Sequence, residues 1–157
     1  AWWFSIYSYL LNLGFEIKEY SSPKLYKGLV HEGSKYLYKW YSKKLADFYI
    51  KESNICDTLN LLPQIIKKGV FYRKIKTLRG IRNLLDKGYL LIADVDFSRI
   101  FAKWYGPSHS IVIVGYDGEN IFINDPAKIR GKDIAVLNKQ FIRAWPTKEM
   151  VALRLKG

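Results

Sequence analysis

One cysteine, Cys56, stands in 157 residues, and a single thiol builds neither an internal disulfide framework nor a multi-cysteine zinc site. Two histidines, His31 and His109, leave little for a metal cluster, so neither a metal nor a cofactor is expected. No apolar run reaches the roughly 18 residues of a membrane-spanning helix. The nearest, residues 1–15, is uncharged but interrupted by Ser5, Ser8 and Asn12. It lacks a basic flank and a small-residue cleavage site, so it reads poorly as a signal peptide, and a cytoplasmic location is the expectation. Neither GxxxxGK[ST] nor GxGxxG occurs, which leaves NTPase and dinucleotide readings without a phosphate-cradling loop. Acidic residues are scarce: 14 Asp and Glu face 26 Lys and Arg, and the net charge of +12 favours acidic surfaces or polyanions as partners. Thermolabile residues are few as well, with one Met and only Gln64 and Gln140 as glutamines, a composition found in some heat-adapted proteins.

What is present is 49% hydrophobic and 25% charged, the balance of a globular chain, and its length suits one domain over 1–157. No repeat or low-complexity linker divides it. Trp3, Ile6, Leu10 and Leu13 recur at helical spacing and Gly14 ends the pattern, with Ser5, Ser8 and Asn12 forming a stripe of small residues. After Gly33, Leu37, Tyr41, Leu45 and Phe48 predict one face of a helix of about four turns. Asp57 to Lys68 reads as a further helix with Pro63 near its start, and Val70 to Ile75 as a short strand. Thr77 is placed to cap a helix from Leu78 to Lys87. Then come strand patterns at Tyr89 to Val95, Ser110 to Tyr116 and Ile121 to Asn124, the last two joined by a turn at Asp117 to Asn120. Ile134 to Leu137, a short helix capped by Asn138, and Met150 to Leu155 complete the chain. The expected class is α+β, with a helical part over about 1–88 and an antiparallel sheet over about 89–157.

The stretch Ser108-His109-Ser110-Ile111-Val112-Ile113-Val114-Gly115-Tyr116-Asp117, followed by Asn124-Asp125-Pro126, carries the chemistry. A histidine opens an apolar strand, and the returning strand leaves through an aspartate at the same open end. The two side chains share a face when the connecting loop has an odd number of residues, as with a three-residue loop Asp117 to Glu119. An imidazole oriented by a carboxylate is the base half of a nucleophilic triad.

These residues resemble the papain-like cysteine peptidases, especially the branch related to bacteriocin-processing, double-glycine-leader peptidases. His109, Gly115-Tyr116, Asp125 and Pro126 match that pattern in place, and Phe141 to Trp145 is similar to the short helix after the Asp-Pro loop. Ala1-Trp2-Trp3-Phe4-Ser5 looks like the Cys-Trp-x-Phe-Ser at the nucleophile, with Leu10 and Gly14 also matching. The resemblance implies a cleft between a helical part and a sheet. It also implies a peptide or protein substrate, a nucleophilic cysteine at position 1, His109 as general base and Asp125 as its orienter. Trp2 and Ser108 are the candidate substrate contacts. Ala1 stands where the cysteine belongs, and the oxyanion-hole Gln of the family would precede it. A chain with alanine there forms no acyl-enzyme, and an engineered Cys-to-Ala substitution is the first explanation, a natural pseudoenzyme or a coincidental match the others. A thiol at a helix N-terminus beside an imidazolium would be held as thiolate. Transpeptidation or deamidation would pass through the same acyl-enzyme as hydrolysis.

Other residues compete for attention. Cys56 lies near a helix start and is expected to be a small buried hydrophobe in a core helix. His31 is expected on a surface loop. Lys35 to Lys44 interleaves lysines with Tyr36, Tyr38, Trp40 and Tyr41, which would suit a nucleic acid, a membrane surface or an acidic peptide in a non-catalytic binding module, or a solvated face. Asp94 and Asp96 share a face but lack a third ligand.

Overall fold

In the computed structural model, which describes residues 2–101, 109–126 and 131–157, the chain is α+β, and its elements gather into two units. One unit holds residues 2–18, 22–73 and 155–157, and the other holds 19–21 and the described part of 74–154.

The first unit is mainly helical. Helix α1 (Phe4–Asn12) is closed by Gly14, whose φ of 85° lies where a side chain is disfavoured. It buries Phe4 and Tyr7, whereas the expected Ile6 and Leu13 are exposed. Nearly every position of this segment is bulky, so spacing alone does not choose the face. Ring partners do: Phe4 lies 5.6 Å from Trp2 and 6.0 Å from Tyr26. Strand β1 (Phe15–Ser21), which the pattern did not announce, passes its last three residues to the second unit. Helix α2 (Pro23–Glu32) starts on Pro23, and His31 sits exposed in its last turn rather than on a loop.

The single helix expected after Gly33 is interrupted. A 3-10 turn (Gly33–Tyr36) leads into α3 (Leu37–Trp40), and Tyr41 then turns extended at φ −121° and ψ 164°. Ser42 starts α4 (Lys43–Glu52), its hydroxyl accepting the Leu45 N–H at 3.4 Å. The break rotates the phase of the second half, so Ala46 is buried while Phe48 is 54% exposed. The helix expected over 57–68 also divides, into α5 (Ile55–Thr58), a 3-10 turn (Leu59–Leu61) and α6 (Leu62–Lys67). Pro63 supplies the reason, because it has no N–H to return to Leu59. Cys56 is exposed, contrary to its expected burial, since Ile55 and Thr58 take the inward positions of α5. Strand β2 (Phe71–Arg73) follows, with Phe71 stacked on Tyr26 at 3.9 Å.

The second unit carries the sheet. Helix α7 (Leu78–Asp86) is capped as expected, Thr77 Oγ1 accepting the Gly80 N–H at 3.3 Å. Thr77→Ala is expected to cost about 1 kcal/mol, read as a lower urea midpoint with an unchanged slope. Strands β3 (Leu90–Val95), β4 (His109–Tyr116), β5 (Asn120–Asn124), β6 (Ile134–Leu137) and β7 (Met150–Leu155) lie in the order β7-β3-β4-β5-β6, and each neighbouring pair is antiparallel. Period-2 alternation buries Leu91, Ala93, Val95, Ile111, Ile113, Ile121 and Ile123 on one face. Phe141 and Ala144 of α8 (Asn138–Ala144) close over that core together with Trp145, whose indole N–H donates to the Glu149 carbonyl at 2.8 Å. Asn138 does not cap α8. Its amide donates instead to the Gly118 carbonyl at 2.9 Å and ties the helix to the β4–β5 turn.

Candidate active site

His109 is the first residue of β4 and stands opposite Val95 of β3. Its ring packs on Phe97, 4.6 Å between centroids, at the start of a 3-10 turn (Phe97–Arg99) that leaves β3. Asp125 directly follows β5, its N–H donating to the Gly131 carbonyl at 3.2 Å. The two side chains meet, His109 Nε2 lying 2.7 Å from Asp125 Oδ1. The carboxylate side chain is 1% exposed and the imidazole 21%, so the acid is shielded while part of the base reaches solvent. A buried carboxylate is tolerable only with such partners.

The face on which they meet is not set by the turn. No three-residue loop forms: Tyr116 stands opposite Ile121, and the Asp117 N–H bonds to the Asn120 carbonyl at 3.0 Å, a turn of even length. Continued unbroken, that register would place Asp125 opposite Val112, on the face away from His109. The odd residue enters inside the strand instead. The pairing shifts between Ile113 and Gly115, so that Ile113 faces Ile123 and Val112 faces Asn124, with Val114 as the bulged residue. Asp125 thereby falls on the face of Ile111 and His109. An isolated glycine within a β-branched run was the available signal for this bulge.

Polar side chains of β3 and the turn after it also have partners among the described residues. Ser110 donates to Asp94 across the β3–β4 ladder at 2.5 Å. Asp96 accepts from the Ser98 hydroxyl at 2.5 Å and from Arg99 Nε at 2.8 Å. The Ser98 hydrogen bond first, and the Arg99 guanidinium after it, hold the Asp96 carboxyl below the usual carboxylate range. Asp94 and Asp96 are thus engaged with hydroxyl and guanidinium donors. Among the described residues no three metal-ligating side chains come together, and no helix is long and apolar enough to cross a membrane.

In the first unit, the backbone ahead of α1 is clamped by Asn54. Trp2 N–H donates to Asn54 Oδ1 at 2.8 Å, and the Asn54 amide donates to the Trp2 carbonyl at 3.0 Å. The Trp2 ring packs against Phe4 and Tyr49, at 5.6 and 5.7 Å. Ala1 and Ser108 lie outside the described residues. Asn54 and Phe97 carry no motif that sequence reasoning could have singled out.

The model of the Peptidase_C39 like family matches residues 26–152. The chain belongs to the Peptidase_C39-like family. This is a family of papain-like cysteine-peptidase type, and the matched stretch contains His109 and Asp125 but begins after Ala1 and Trp2. A crystal structure of a Bacillus anthracis protein named as a C39-like peptidase is similar over 65% of this chain and 59% of its own, at 16% identity and a TM-score of 0.44. The chain therefore spans less than two thirds of that relative. No curated protein matches the sequence.

Proposed function

We propose that this chain is a thiol-dependent peptide hydrolase of the branch related to double-glycine-leader peptidases, with alanine in place of the nucleophilic cysteine at position 1. The observation that carries the reading is the His109–Asp125 pair, 2.7 Å apart, inside the part of the chain that the family model matches. With Nε2–H donating to the carboxylate, the neutral ring presents its lone pair at Nδ1, the nitrogen that exchanges the proton. When position 1 is cysteine, Nδ1 takes the thiol proton and the thiolate sulfur bonds to the peptide carbonyl carbon. The imidazolium returns that proton to the departing amine as the C–N bond breaks. Water, deprotonated by the same nitrogen, then releases the acid and regenerates the thiol. With Ala1 the first bond cannot form, and the chain binds a peptide without cutting it.

Thiol alkylation by iodoacetamide tests this in Ala1→Cys, with exposed Cys56 as the internal reference. The new thiol is expected to react at least about tenfold faster than Cys56 near neutral pH, because a stabilised thiolate is the reactive form. It is also expected to confer turnover of a double-glycine peptide. Equal alkylation rates and no turnover would refute the proposal.

A further inference from the structure

We propose that a pocket between the Phe97–Arg99 turn and α8 is a subsite for acidic side chains of a bound peptide, with Arg99, Lys139 and Arg143 holding the carboxylates. The pocket has a volume of about 510 Å³ and is lined by those three cations together with Leu137 and Gln140. That volume suits one or two side chains rather than a whole domain.

Its walls are fixed by directed bonds. Gln140 Nε2 donates to the carbonyls of Arg99 and Ile100 at 3.3 and 3.1 Å, joining the helix to the turn. Arg99 Nη1 donates to the Arg143 carbonyl at 3.0 Å, and Arg99 Nε is held by Asp96 at 2.8 Å. The guanidinium is thus oriented before any ligand arrives, which lowers the ordering cost of binding. Arg99 is the one cation of the three with a carboxylate partner. Lys139 and Arg143 form no ion pair with any described residue. They sit four residues apart on α8, a spacing at which like charges repel and weaken a helix. An anion between them reverses that cost, and arginine with lysine suits a carboxylate by fork and by point charge.

The location selects a peptide. Phe97, at one end of the turn, touches the His109 ring, and Arg99, at its other end, lines the pocket. A chain lying with its reacting carbonyl at His109 would carry neighbouring side chains past this turn. This assignment rests on the peptidase reading for its substrate, and its test measures binding, which needs no turnover.

Fluorescence anisotropy of fluorescein-labelled tetraglutamate and tetraglutamine decides it, using the chain with Ala1. Tetraglutamate is expected to bind at least about tenfold more tightly, and Lys139→Gln with Arg143→Gln is expected to remove most of that preference. Lys67→Gln with Lys68→Gln removes the same charge from α6 and its end and is expected to leave the preference within about twofold. Circular dichroism confirms that each double variant is folded. Equal binding of the two peptides, equal loss in both double variants, or tighter binding of inorganic phosphate than of tetraglutamate in competition would overturn the proposal. Equal binding of the two peptides by the chain that keeps Lys139 and Arg143, while Ala1→Cys shows the fast thiol, defeats this subsite alone. A retained preference with an ordinary thiol defeats the peptidase reading and leaves the acidic-peptide site standing.

Discussion

In the Ala1→Cys chain, His109→Ala is expected to lower peptide turnover by at least about 10³-fold while leaving the fold intact. The side chain is part-exposed at the start of β4, so its removal opens no sealed core cavity and keeps the backbone ladder to Val95, while the shielded Asp125 carboxyl loses its imidazole partner at a cost of about 1–3 kcal/mol, less than the stability of an ordinary domain. What disappears is the group proposed to accept the thiol proton and to donate it to the amine. Asp125→Asn is a finer test of the same device. The amide keeps the size of the carboxylate but can turn its NH₂ toward Nε2, favouring the opposite tautomer and placing the ring proton on Nδ1. Turnover is expected to fall by about 10²-fold or more, with the protein still able to bind peptide. The check is single-turnover kinetics with intact-mass detection of the acyl-enzyme. If His109→Ala and Asp125→Asn left the acylation rate unchanged, the pair would be a structural hydrogen bond and the proposed mechanism would fail.

Much of the sheet half of this arrangement was legible in the residues. The β-branched runs, the Asp-Gly turn, the Thr77 cap and the Asn-Asp-Pro exit each rest on local backbone preferences, and each corresponds to a described element. The helical half was less legible because its local signals compete. Leu37 to Phe48 keeps helical spacing across a stretch where Ser42, a strong cap, restarts the helix and turns Leu45 and Phe48 outward. Within Ile55 to Lys67 the apolar period continues through Pro63, although the backbone hydrogen bonds cannot. Pattern reports which residues are apolar, and capping reports where the phase is reset. Where the two disagree, the cap decided the structure. That His109 and Asp125 stand at one open end of the hairpin was readable, but the geometry that brings them onto one face was not. It depends on whether one residue is accommodated in a turn or in a strand, a choice made by pairing with β3 and by the tight Asp117 turn rather than by the two residues themselves.

That choice has a consequence with opposite signs for deletion and insertion. Val114 is 38% exposed and lies just beyond the stretch of β4 that pairs with β3, which ends at Leu91 opposite Ile113. Deleting it would leave Gly115 opposite Phe122 and Ile113 opposite Ile123 as consecutive pairs, which is a regular ladder with no bulge. His109 and Asp125 stay on one face, so the Ala1→Cys chain without Val114 is expected to keep its turnover to within about tenfold, a loss attributable to a changed strand twist. Inserting one alanine between Val112 and Ile113 does the reverse. If the ladder to β5 is kept, Ser110 turns inward, Ile111 turns outward and His109 leaves the face of Asp125. Turnover is then expected to fall by about 10³-fold or more, as for removal of the base itself. Stability is expected to fall too, by about 1 kcal/mol, because Val112 takes the core position of Ile111 while Ser110 takes that of His109. The histidine ring resonances in NMR spectra separate the effects: coupling to Asp125 persists in the deletion and is lost in the insertion. Equal damage from the two changes would mean that the bulge, and not the shared face, is what the pair requires.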